Sequence, residues 1–236
     1  MENILYQVRQ KLRECSSEKE RESGLRFFRE EIHLYGMKSA VVGQISKEFL
    51  NQIRGYDKAG IFALCEELWQ SGMMEESFIA CNWSYAVRKE YLPDDFKIFE
   101  RWVKSYVSNW ASCDTLCNHT VGTFIDMYPE FISELKEWTA SANRWVKRAS
   151  AVSLVIPARE GRYLDDIFEI ADRMLTDRDD MVQKGYGWML KEASKAHQEE
   201  VFRYVMKHRS DMPRTALRYA IEKMPPEMKK EAMKRI

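Results

Sequence analysis

Glycine and proline are scarce in this 236-residue chain, at 10 and 6, fewer than the tight turns of an all-β sandwich or a Rossmann-type enzyme require. That scarcity predicts an all-helical protein. Cysteine is also sparse: Cys15, Cys65, Cys81, Cys113 and Cys117 are odd in number and far apart, which does not read as a disulfide framework and makes a reducing cytoplasm the expected setting. Long hydrophobic runs are missing. The best candidate, AVSLVIPA at 151–158, is broken by Pro157 and falls short of the roughly 18 apolar residues a membrane span needs. The opening stretch MENILYQVRQKLRECSSEKERE is charged throughout, with no apolar core of a signal peptide. Histidine is limited to His33, His119, His197 and His208. None sits in a nucleophile motif, which argues against a conventional hydrolase. There is no excess of either charge, with 37 basic and 37 acidic residues, so an anionic partner must be met by a local patch.

What is present is a chain of 45% hydrophobic and 31% charged residues, enough to bury a sizeable core. Amphipathic segments of about 10–16 residues follow one another, separated by short polar or Gly/Pro breaks. Breaks are expected near Gly36, at Arg54 to Asp57, at Gln70 to Gly72, at Leu92 to Asp95, near Pro129, at Ser141 to Asn143 and from Pro157 to Gly161. Asp57, Ser71 and Asn143 are expected to start helices, because their side-chain oxygens can accept from amides of the first turn. No linker interrupts the pattern, which predicts one domain over 1–236.

Three segments superpose: EESFIACNWSYAVRK (75–89), NRWVKRASAVSLVI (143–156) and DDMVQKGYGWMLKEAS (179–194). Each carries a small residue, Ala80, Ala149 or Gly185, where helices could approach closely. The steps between them are 69 and 36 residues, which suits a repeated helix pair of roughly 35–45 residues. The expected fold class is all-α, a right-handed superhelix of HEAT-like antiparallel helix pairs, against the alternative of an irregular bundle.

Charge is uneven along this frame. Residues 62–100 hold eight acidic side chains against three basic, and 202–236 hold ten basic, among them Arg235, against four acidic. Arg144, Lys147, Arg148, Arg159 and Arg162 form a further basic cluster. One rim could be positive, the footprint of an anionic partner, or the charges could be an ordinary solvated surface.

The segment SNWASCDTLCNH (108–119) is the most unusual. On a helix Trp110 and Asp114 are i and i+4, so ring and carboxylate lie one turn apart on one face. Cys113, Asp114, Cys117 and His119 lack the closely paired spacing of zinc sites, and the cysteines read as buried small hydrophobes. In NRWVKR (143–148), Trp145 begins a stripe with Ala149, Val152 and Ile156 and reads as core. Arg148 beside that stripe suits a phosphate, or else a structural ion pair. In GYGWMLK (185–191), Gly185 and Gly187 inside a helical pattern point to close approach of a neighbour.

Taken together, W-x-x-x-D at 110–114, W-x-x-R-A at 145–149 and Q-K-x-x-G-W-x-L-[KR]-E at 183–192 resemble the AlkD-like branch of bacterial DNA alkylation repair glycosylases. RFFREEIHLYGM (26–37) is similar to that family's aromatic-containing first repeat. The resemblance implies a concave HEAT-like solenoid that holds duplex DNA and cleaves the N-glycosidic bond of 3-methyladenine, 7-methylguanine and related cationic lesions. It places the family's carboxylate on Asp114, its two cleft tryptophans on Trp110 and Trp188, and its cleft arginine on Arg148, with DNA contacts from Phe27, Arg144, Lys147, Lys184 and Lys191. It implies no metal or cofactor, no obligate protein partner, and a monomer. Two positions depart from the family pattern. KSAVVGQISKEF (38–49) stands where a Pro and paired arginines are common, and Phe27 lacks the hydroxyl of the family's Tyr.

Elementary chemistry agrees with one carboxylate. An alkylated purine already carries positive charge, so it leaves without a general acid, and the demand falls on an oxocarbenium-like sugar. A fixed carboxylate stabilises that cation and positions water. The competing reading is a non-catalytic HEAT-like module that binds a protein or structured nucleic acid, with Asp114 as a salt-bridge partner and the tryptophans as packing residues.

Overall fold

The structure, a computed structural model, describes residues 2–234, with side chains from residue 4; Arg235 lies outside the described residues. The chain divides into two compact units, Met1–Thr120 and Val121–Ile236. The first holds α1 (Glu2–Glu14), α2 (Glu18–Leu25), α3 (Ser39–Gln52), α4 (Lys58–Gln70), α5 (Met74–Ala86), α6 (Phe96–Ser105) and α7 (Trp110–Thr115). The second holds α8 (Gly122–Met127), α9 (Ile132–Trp138), α10 (Arg144–Val152), α11 (Val155–Arg159), α12 (Leu164–Arg173), α13 (Asp180–Ala193), α14 (Gln198–His208), α15 (Arg214–Ala220) and α16 (Pro226–Ala232). Among the described residues there is no β-strand, only an isolated parallel bridge between His33 and Met73. The all-α expectation holds.

Local chemistry explains four of the helix starts. The Asp57 carboxylate accepts from Gly60 N at 2.8 Å, and the Asn143 side chain accepts from Trp145 N at 2.9 Å. Asn109 and Asp179 cap α7 and α13 in the same way, each such cap contributing about 1 kcal/mol. Ser71 does not start a helix. Its Oγ donates to Leu68 O and accepts from Met73 N, Gly72 turns at φ 69°, and α5 begins only at Met74. Pro157 does not end a helix either. α10 has already stopped at Val152, and Pro157 falls in the first turn of α11, where an N–H is not needed.

The stretch 26–38, expected to be helical before a turn at Gly36, has no helix. Its amides point instead to a distant carboxylate: Glu75 accepts from Tyr35 N at 3.0 Å and from Gly36 N at 2.8 Å. Gly36 has φ 95°, and a Cβ there would sit 2.5 Å from Arg21 Cβ. After α7 the helix widens into one π turn, Leu116–Val121.

Within each unit many long-range polar contacts join residues between 30 and 41 positions apart. In the first, Trp83 Nε1 donates to Ser46 O across 37 residues, Arg101 to Glu66 across 35, and the hydroxyls of Ser84 and Thr120 meet across 36. In the second, Arg162 reaches Asp126 across 36 residues, Arg144 reaches Asp180 across 36, and His197 Nε2 meets Gly161 O across 36. Those near 36 match the step between the second and third of the superposed segments. The acidic stretch 62–100 is largely used up in this way. Glu75, Glu76 and Asp95 are buried, and Glu66 accepts from Arg101, Trp102 and Tyr106.

The small residues sit where helices come closest. Ala80 and Ala149 are fully buried. A Cβ on Gly185 would lie 3.2 Å from Arg148 Cγ, and one on Gly187 would lie 2.9 Å from Ala216 O and 2.7 Å from Tyr219 Cβ. Gly187→Ala is therefore expected to destabilise the fold by about 1–3 kcal/mol, since α15 must retreat. Gly43→Ala in α3, where nothing lies within 4 Å, is expected to stabilise it by up to about 1 kcal/mol through helix propensity. Urea unfolding of the two variants checks both signs, and an unchanged midpoint for Gly187→Ala contradicts the close approach.

Candidate functional site

Asn109 caps α7 and thereby sets the rotation of that short helix. Ser112 is buried and its Oγ meets Ser77 Oγ of α5 at 2.8 Å, while Cys113 is fully buried. With those residues turned inward, Trp110 and Asp114 are left half-buried on the outer side, one turn apart as expected. Trp110 lines a cleft of about 370 Å³ with Phe27, Phe28, Met37, Met74 and Phe78. The Phe28 ring stacks on Trp110, with centroids 5.2 Å apart and planes 17° apart. Phe27 lines the same cleft and is 73% exposed. Phe28 was not anticipated; the adjacent aromatic pair in an otherwise polar stretch is its signal, but which ring turns inward depends on the non-helical path of 26–38. Cys117, like Cys113, is fully buried. Among the described residues no group of three or more His, Cys, Asp or Glu could hold a metal ion.

Arg148 and Trp188 belong to the second unit. Arg148 on α10 is only 6% exposed; its Nη1 donates to Met181 O at 2.6 Å and its stem lies against Gly185. Trp188 on α13 is half-buried. Trp145 is buried, as its stripe predicts. The remaining predicted DNA contacts are engaged with carboxylates. Lys147 meets Asp177 at 2.6 Å, Arg144 meets Asp179 at 3.0 Å, Lys184 meets Asp180 at 3.0 Å and Lys191 meets Glu222 at 3.1 Å. Such partly exposed pairs contribute about 0–1 kcal/mol each, so an incoming phosphate can exchange with the carboxylate at small cost. The ends of the third motif are structural: Gln183 donates to Asp177 O, and Glu192 accepts from Arg159 and Lys195, both at 2.6 Å.

A family model for DNA alkylation repair enzymes matches residues 8–224. The chain belongs to the DNA alkylation repair enzyme family. That membership makes it an enzyme of DNA repair and implies that it binds DNA. Its fold is similar to that of a predicted DNA alkylation repair enzyme from Enterococcus faecalis, with a TM-score of 0.80 at 15% identity over 89% of this chain and 97% of that one. No curated protein matches the sequence. No helix among the described residues of this repair enzyme is long and apolar enough to cross a membrane.

Burial alone raises the pKa of Glu192, but its hydrogen bonds from Lys195 and Arg159 outweigh that and hold the carboxyl below its ordinary 4.5. Its stabilisation is therefore complete above pH 4.5 and fades as pH falls below that value. Glu192→Gln is expected to lose about 2 kcal/mol at neutral pH, with the gap to wild type narrowing as pH falls below 4.5 in thermal melts. A gap that widens on acidification contradicts the assignment.

Proposed function

We propose that this DNA alkylation repair enzyme is a glycosylase that hydrolyses the N-glycosidic bond of cationic alkylated purines, such as 3-methyladenine and 7-methylguanine, in duplex DNA. The observation that carries the reading is the α7 face: a tryptophan backed by a stacked phenylalanine at an aromatic cleft, with a carboxylate one turn further along the same helix. A cationic nucleotide against such rings gains about 0.5–2 kcal/mol per contact. In the reaction the C1′–N bond breaks with its electrons passing to the base, which leaves neutral because it was cationic. Water adds to C1′ and loses a proton to solvent. Asp114 stabilises the oxocarbenium-like sugar and positions that water.

In this reading Trp110 and Trp188 shield the reacting sugar from bulk water. Arg148, stiffened by Gly185 and Met181 O, fixes a backbone phosphate, and Arg144, Lys147, Lys184 and Lys191 exchange their carboxylates for phosphates. Phe27 presents an exposed ring to the DNA. The whole chain acts as one domain of HEAT-like repeats, as a cytoplasmic monomer without a cofactor. The ion pairing of those four cations is what favours the second reading, a non-catalytic module whose charges serve only its own stacking.

Methylated duplex DNA treated with enzyme in the presence of a metal chelator separates the two. Wild type is expected to release 3-methyladenine or 7-methylguanine, and Asp114→Asn to be at least about 100-fold slower at unchanged melting temperature. Folded wild type that releases neither base across a range of salt and enzyme excess overturns the glycosylase reading.

A further inference from the structure

The basic side chains that the motifs single out in the second unit are each committed to a carboxylate or a carbonyl. In the first unit one cation is held differently. Arg88 follows α5 in a short 3-10 turn, Arg88–Glu90, with its Cζ 4.3 Å from the centre of the Tyr85 ring and its Nη1 donating to Tyr85 O at 3.2 Å. Among the described residues no carboxylate pairs with it. His119 packs against the same tyrosine, with ring centroids 5.4 Å apart and planes tilted by 52°. It is exposed, and no described residue bonds its ring nitrogens. It is presented by the π turn Leu116–Val121, a form kept mostly as single turns and frequently at functional sites.

The position of this stack gives it a use. Tyr85 is i+7 from Phe78 on α5, so it stands two turns further along the same face, about 10.5 Å away. Phe78 lines the aromatic cleft with Trp110. A nucleic-acid strand rises about 3.4 Å per nucleotide, so cleft and stack are about three nucleotides apart on one helix face. A guanidinium held over a ring offers a fork of donors matched to a phosphodiester. No carboxylate has to be displaced first.

We propose that the Arg88–Tyr85–His119 stack is a backbone-phosphate subsite for the nucleic-acid strand that passes the aromatic cleft, with Arg88 as its anchor and His119 as a second donor. The inference rests on the reading that this enzyme works on DNA, and it adds a contact outside the three motifs at 110–114, 145–149 and 183–192.

Binding of a fluorescein-labelled, undamaged duplex, followed by polarisation over a series of salt concentrations, tests it. Arg88→Ala is expected to weaken binding about five- to tenfold at fixed salt and to make the log K against log salt slope shallower by about 0.9. Arg88→Lys is expected to keep the slope and recover part of the affinity, and His119→Ala to weaken binding about two- to threefold. Release of methylated purines by Arg88→Ala is expected to need about five- to tenfold more DNA to reach half its maximal rate, in step with the loss of binding, whereas Asp114→Asn lowers the maximal rate itself. If Arg88→Ala does not fold, Arg88→Gln, which keeps a planar group near Tyr85, reads the same loss. A folded Arg88 variant with wild-type affinity and slope overturns the subsite and leaves the glycosylase reading standing. Wild type that binds no duplex overturns both.

Discussion

Glu75 and Glu76, side by side near the start of α5, are almost completely buried, and much of the first unit is arranged around them. Glu75 takes two consecutive backbone amides, those of Tyr35 and Gly36, while Glu76 takes the Tyr35 hydroxyl at 2.7 Å and Arg9 Nε at 3.1 Å. A buried carboxylate is tolerated only when donors surround it, so these two residues and the segment 26–38 define each other. Burial and the bond to Glu76 push the Tyr35 hydroxyl well above its usual range, so it remains a donor. Without this anchor, 26–38 has no helix of its own to hold its course. With it, Phe28 is delivered onto Trp110 and Phe27 to the mouth of the cleft.

The same economy runs through the stacking of the helices. Where two helices approach closely, small residues make room, as Gly185 does for the Arg148 stem. Elsewhere a charged or polar side chain reaches a partner distant in sequence, as Arg162 does to Asp126 across 36 residues and Lys147 to Asp177 across 30. A neutral chain with many charges is therefore no paradox. Many of its described acids and bases are directed at each other, and the candidate DNA-contacting cations of α10 and α13 are included. In the proposed reading a repair enzyme with no net charge still offers positive groups, since partly exposed pairs are weak enough to be re-partnered by phosphate.

The α7 region shows how structure positions chemistry that the sequence already contained. Asn109, Ser112 and Cys113 face inward or cap the helix, and this turns Trp110 and Asp114 outward together. One turn on, the π turn changes the register, so His119 meets Tyr85. Two residue sets a few positions apart thus serve the same face of α5 by different local geometries.

Much was legible from the chain alone because it depends on short-range rules. The helical class, the caps at Asp57 and Asn143, the core position of Trp145 and the close-approach glycines all follow from local periodicity, side-chain size and backbone propensity. The family resemblance was legible because its motifs place aromatic, carboxylate and basic residues at fixed offsets. What only the tertiary structure decided depends on partners far away in sequence: the non-helical path of 26–38, held by Glu75 some 40 residues on; the choice of Phe28 over Phe27 as the stacking ring; and the pairing of Lys147 with Asp177 across 30 residues. Ser71 and Pro157 misled for the same reason, since a residue suited to start or stop a helix does so only where the neighbouring hydrogen bonds leave it free to act.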